Sequence, residues 1–344
     1  MKRISHYLRQ LAGGGDFSRG QSSPFAFQSR ACGRAFLIVR LFYAANLFLA
    51  GWRLAERARW NAYDSLYPLW PLWWADGESV SVVATKVFTA NAFVAVLAAL
   101  FPTNTMARWL AFAGALVAGA LENSFGSIGH GGHAWVWAAF FFAFLPTATS
   151  RDLSTSRLLR QRYLQTFWTA QFAVLFFYSM SGWLKLVTVP IQLHHGEVCA
   201  LAPEALARHI ANRILQTNSE PWLAAGLIDH PALSWLMYLG ALYLEAFAVI
   251  AAFRPALHRF WGGSLILLHL GIGLAMEIWF VPPMFLLALL FVSSPFQRDD
   301  TTWRETLGQL PGVKLLRSVS PKGTFDKSPA IYRWVRSLCT RKVP

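Results

Sequence analysis

Apolar residues along this chain come in long unbroken runs, not in the alternation of a half-buried strand. The runs cover about 34–54, 80–101, 106–123, 133–146, 163–186, 233–253, 260–280 and 284–292. A helix needs roughly 20 apolar residues to cross the hydrocarbon of a bilayer. The pattern therefore predicts an all-α integral membrane protein, a polytopic bundle of about eight transmembrane helices. The fourth and eighth runs are short, so seven to nine crossings fit. Between the runs lie segments that cannot span. Residues 60–78 mix Trp and Tyr with Pro68 and Pro71, which suits an aromatic belt at the membrane surface. Residues 188–231 form the longest internal loop. Within it Ala202–Leu215 sets Leu206, Ile210 and Ile214 against Arg208 and Arg213, the spacing of an amphipathic helix lying on the surface or over a cavity mouth.

Composition agrees with that reading. The chain of 344 residues is 55% hydrophobic and 14% charged, with 16 Trp and 27 Phe, and its mean hydropathy is +0.37. A soluble domain of this length needs more charge to cover its surface. A net charge of +14 would suit nucleic acid. However, the basic residues gather in 2–34, 151–162, 254–259 and 298–342, which eight crossings put on one side of the membrane. Positive-inside bias then predicts both termini in the cytoplasm and contact with membrane lipids, with no nucleic-acid partner. The expected organisation is a basic N-terminal tail (1–33), a transmembrane domain (34–296) and a basic cytoplasmic C-terminal tail (297–344). No apolar core precedes Ala35, so no cleavable signal peptide is expected. Cys32, Cys199 and Cys339 share no metal spacing, and no disulfide is expected.

Several polar residues interrupt the runs. Lys185 ends the fifth run between Leu184 and Leu186. It is either an anchor reaching for the membrane surface or an amine in a half-dry pocket, where desolvation disfavours the ammonium and makes a base. His130 and His133 follow a Gly-rich turn with Glu122 and Asn123 just before it. A polar helix start, a proton-transfer group or, less simply, a metal ligand would each fit; no metal is expected. The orientation puts this turn and Lys185 on the same side, so contact between them is expected. Arg40, Glu245 and His269 fall deep in their runs and imply a polar interior or pairing, such as Arg40–Glu245 or His269–Glu245. His194, His195 and Glu197 read as a solvated loop.

At Tyr178–Leu186 the order Tyr-x-x-Ser-Gly-x-x-Lys-Leu resembles the Tyr-x-x-Ala-Gly-x-x-Lys-Leu signature of the vitamin K-dependent gamma-carboxylase-like proteins, whose bacterial members are called HTTM, for horizontally transferred transmembrane domain. Asn123 through Phe144, with His133 before an aromatic helix, is similar to a second family stretch. Leu244-Glu245, His269 and the closing Ser293-Ser294-Pro295-Phe296 are similar to a third. The resemblance covers about residues 34–296. It departs from the eukaryotic enzyme, which continues into a large lumenal, strand-rich region; here only about fifty basic residues follow, and Leu184 stands where a second lysine is often found.

The resemblance implies a bacterial inner-membrane enzyme in which Lys185 is the base and His133, or its competitor His130, assists it. The implied cofactor is a reduced vitamin K or menaquinol-type hydroquinone, an isoprenoid quinone in its reduced form, with O2 and CO2 as co-substrates. Its epoxidation would be coupled to proton abstraction and carboxylation of an acceptor, such as a peptide or protein on the non-cytoplasmic side. Tyr178, His269, Glu245, Arg40 and Trp183 are the expected cofactor-binding residues. The other reading is a non-catalytic protein that binds a lipid or quinone, or an accessory subunit of a membrane complex.

Overall fold

The computed structural model describes residues 29–126 and 129–313, and these residues form helices and turns with no strand. The nine principal helices are α1 (Ser29–Ala55), α2 (Val80–Leu100), α3 (Thr105–Glu122), α4 (His133–Ala143), α5 (Arg157–Val187), α6 (Ala205–Thr217), α7 (Pro231–Ala246), α8 (His258–Met276) and α9 (Val281–Leu287), the last continuing as a π turn to Val292. Each principal helix falls on a segment with the expected pattern. The ends differ where local chemistry intervenes. The first helix begins at Ser29 rather than Arg34. The sixth apolar run breaks at Phe247 into α7 and a short helix, Ala248–Ala252. The seventh ends early because Glu277 turns left-handed at φ 53°.

Among the described residues four helical segments are long and apolar enough to cross a membrane: Ala31–Ala62, Val80–Leu100, Arg157–His194 and Pro255–Met276. Helix α4 has 11 residues and α7 has 16, short of the roughly 20 that a full crossing takes. The outer faces of the bundle are as apolar as its interior. Phe48, Phe93 and Leu267 are each more than 60% exposed, as expected for helices that are hydrophobic all round and face lipid.

The main core joins α1, α4, α5, α8 and α9 through Phe42, Phe142, Phe167, Trp261 and Phe291, all fully buried. A second cluster packs the aromatic belt onto α2 and α3 through Trp60, Leu72 and Phe88. The amphipathic helix α6 lies over a third, small cluster: its Ile210 meets Leu227 and Ala275, and Arg213 Nε donates to Met276 O at 3.2 Å.

The start of the segment expected as a C-terminal tail packs onto the bundle. Asp299 pairs with Arg34 at 2.7 Å and Arg259 at 2.8 Å, and Thr306 Oγ1 donates to Ala256 O at 3.2 Å. Residues 1–28 and 314–344, with the rest of both expected tails and Cys339, lie outside the described residues.

Candidate functional site

The last three turns of α5 carry the site. Tyr178, Gly182 and Lys185 recur at i, i+4 and i+7 and so share one face of the helix. Gly182 sets how close that face comes to α7. A Cβ there would lie 2.5 Å from Ala246 N and 2.8 Å from Glu245 Cβ. The absence of a side chain lets the two helices touch at the backbone, as small residues do where membrane helices cross.

At this crossing Lys185 Nζ donates to Glu245 Oε2 at 2.6 Å. The carboxylate side chain is 11% exposed and the ammonium side chain 36%. One turn deeper along α5, Ser179 and Trp183 serve the end of α7. Ser179 Oγ donates to Glu245 O at 3.2 Å and accepts from Val249 N at 2.8 Å. Trp183 Nε1 donates to Ala246 O at 3.0 Å. A helix end leaves carbonyls unpaired, and in an apolar setting each must find a donor. The structure thus ties the Trp183 indole N–H to the break between α7 and the Ala248–Ala252 helix, while much of its ring stays exposed.

Tyr178 OH lies 2.6 Å from His269 Nε2 on α8, and both residues are buried. His269 Nδ1 has no hydrogen-bond partner among the described residues. The His269 ring packs at 5.0 Å, centroid to centroid, against Phe280. If this pair holds α5 against α8, Tyr178→Phe strands Nε2 as well. The expected cost is about 1–2 kcal/mol for a buried acceptor left without its donor, read as a lower unfolding midpoint in detergent; an unchanged midpoint would place the bond outside the folded-state balance.

Phe280 also lines a cavity of about 310 Å³ between α1, α3 and α4. Its walls include Trp52, Trp60, Trp279 and His133. Its polar side is the Arg53–Glu122 pair, held by two parallel bonds of 2.9 and 2.8 Å. Asn123 shapes the glycine-rich turn, accepting from Gly129 N at 2.5 Å and donating to Gly119 O at 2.7 Å. His130 and His133 meet through their Nδ1 atoms at 3.4 Å, and His133 packs edge-on against Phe177 of α5.

The expected contact between His133 and Lys185 does not form among the described residues. Phe177, the α5 residue that meets His133, lies about 12 Å along the helix axis from Lys185. The partner of Lys185 is Glu245 instead, which also replaces the expected Arg40–Glu245 and His269–Glu245 pairs. Arg40 is exposed, in a cleft that also contains Tyr163, so it sits at the other end of α5, roughly 30 Å from Lys185 along the axis. Among the described residues no group of three or more His, Cys, Asp or Glu is placed to hold a metal.

Two residues that the sequence did not single out stand near the ion pair. Tyr238 lies two turns before Glu245 on the same face of α7, and its ring packs 5.9 Å from that of His209 on α6. The outer edge of His209 is exposed. Desolvation of the inner edge, and then the Lys185 ammonium behind it, hold His209 below the usual imidazole range. The available signals were the spacing of seven from Tyr238 to Glu245 and the amphipathic pattern of α6, neither of which names a partner. Comparison of the chain with protein-family models, with curated proteins and with solved structures found no match.

Proposed function

We propose that this chain is a polytopic protein of a bacterial inner membrane, with about eight crossings and both termini cytoplasmic, and that it works as a vitamin K-dependent gamma-carboxylase-like enzyme of the HTTM kind. The observation that carries the reading is the shared face of Tyr178, Gly182 and Lys185, with His269 and Glu245 as partners at one helix crossing. Those five residues come from the stretches on which the resemblance rests. Membrane insertion is supported by the four long apolar helical segments and by the apolar outer faces; the eight-crossing count adds to them the shorter apolar helices.

In this reading Lys185 is the base and Glu245 Oε2, 2.6 Å from its Nζ, holds the side chain at the helix crossing, while His133 faces the cavity.

The cavity fits a quinol head group in size and chemistry. Small-molecule sites start at about 300 Å³ and combine apolar walls with a few polar groups; here Trp52, Trp279 and Phe280 would hold the ring, and His133 and the Arg53–Glu122 pair its oxygens. His269 packs against Phe280, which lines the cavity, without lining it itself. A bound hydroquinone would supply electrons for oxygen chemistry and, by the resemblance, drive carboxylation of an acceptor. The residues of this chain bind it, exclude water and move a proton.

The second reading is a non-catalytic lipid- or quinone-binding protein, or an accessory subunit. It is favoured by one observation: Lys185 and Glu245 are not among the residues lining the cavity. Quinol oxidation by purified protein in the presence of oxygen separates the two, using vitamin K hydroquinone and a panel of menaquinols. The enzyme reading expects turnover in the wild type and at least a 100-fold loss in Lys185→Ala, the range for removing a positioned base. No turnover, or equal turnover in both proteins no faster than quinol with oxygen alone, leaves the second reading standing.

A further inference from the structure

Arg40 is an arginine on the outside of an apolar helix, with the exposed Leu37 and Leu41 beside it. Among the described residues it makes no hydrogen bond or ion pair. Such a guanidinium is costly in hydrocarbon unless it reaches an anion or the interface. It lines a narrow cleft between α1, the turn at 102–103, the segment 146–148 and Tyr163.

A second arginine closes the inner end of the cleft. Arg108 is 1% exposed. It donates to Pro102 O at 3.0 Å, to Thr105 Oγ1 at 3.2 Å and to Leu145 O. Its Nε has no hydrogen-bond partner among the described residues. A buried guanidinium with an unpaired Nε, lining the same cleft as a second guanidinium, is the chemistry of an anion site. The cleft has about 10 Å³ of free space, room for one oxygen-sized group.

The surroundings select the kind of anion. The turn at 102–105 is shared with an open groove of about 620 Å³, lined by Met106, Trp109, Thr105 and Thr147. Met106 is 67% exposed. The two threonine hydroxyls bond to each other at 2.9 Å and, through Thr105, to Arg108. Arginines in a cleft beside an apolar, lipid-facing groove match a head-group phosphate joined to an acyl chain. We propose that this site binds one anionic phospholipid, its phosphate held by Arg40 and Arg108 and its chain lying along Met106 and Trp109. The site is at the end of the bundle where α1 begins, far from the Lys185–Glu245 pair, and does not depend on the enzyme reading.

The test is lipid binding to delipidated full-length protein in neutral detergent, read by native mass spectrometry. The ligands are phosphatidylglycerol, phosphatidylcholine and inorganic phosphate. The variants are Arg40→Gln, Arg40→Lys and, as a control of equal charge, the exposed Arg157→Gln. The wild type is expected to hold phosphatidylglycerol about tenfold more tightly than phosphatidylcholine, of the order that one or two arginines at a lipid surface contribute. Arg40→Gln abolishes the preference, Arg40→Lys keeps part of it, and Arg157→Gln leaves it intact. The proposal fails if the wild type shows no preference, or if Arg40→Gln and Arg157→Gln weaken it equally, which marks diffuse surface charge. It also fails if inorganic phosphate at matched concentration displaces the lipid, which marks a site for a free anion.

Discussion

Lys185→Met alone is expected to lower the stability of the folded protein by about 3 kcal/mol, and Lys185→Met with Glu245→Gln to recover most of that loss. The asymmetry follows from burial. Glu245 is the inner member of the pair and Lys185 the outer. Removing the lysine leaves a carboxylate at a helix crossing without its counter-charge. Removing the carboxylate leaves an ammonium that can turn outward, so Glu245→Gln alone costs about 1 kcal/mol, the ordinary worth of a lost hydrogen bond. The measurement is equilibrium unfolding of the four proteins in mixed micelles. Equal costs for the two single changes, adding up in the double variant, would mean that the ion pair contributes nothing to the fold. The double variant also matters for function. If it is stable and inactive while the wild type turns over quinol, loss of activity in Lys185→Ala cannot be ascribed to unfolding.

Gly182→Ala is expected to cost about 3 kcal/mol, at the upper end for overpacking. The added methyl meets Ala246 N, Ala246 Cα and Glu245 Cβ within 3 Å. Two of these are backbone atoms, and no rotamer change relieves the clash. The helices must separate, which stretches Lys185–Glu245 and the two Ser179 bonds together. Gly263→Ala on α8 is the matching control. Nothing lies within 4 Å of its Cβ, and alanine favours a helix over glycine by about 1 kcal/mol, so its unfolding midpoint should hold or rise. A tolerated Gly182→Ala would show that α5 and α7 do not depend on backbone contact.

These two variants also mark how far the sequence could be read. The stretch at Tyr178–Leu186 stood out on its own residues, and its spacing put Tyr178, Gly182 and Lys185 on one face of a helix. What each of them meets was not legible. Glu245 lies 60 residues from Lys185; by depth its expected partners were Arg40 or His269, and by side the expected neighbour of Lys185 was His133. Side is a weak constraint: His133 and Lys185 can lie toward the same surface and still face different neighbours, one meeting Phe177 and the other Glu245. The cleft at Arg40 was missed for a similar reason. A deep arginine suggested a pair inside the bundle, whereas α1 turns it outward and sets Arg108 behind it.

By itself the sequence determined the helices, because runs of apolar residues and their breaks at Pro, Gly and polar turns are local properties. It also determined that the surface as well as the core is apolar, since 14% charged residues cannot cover a chain of this length. The tertiary structure decided the pairings. The rotation of each helix about its axis depends on where small residues allow backbones to meet, and that is a property of two segments at once. Gly182 against Ala246 sets that rotation for α5, and with it Lys185 is turned toward Glu245 and Tyr178 toward His269.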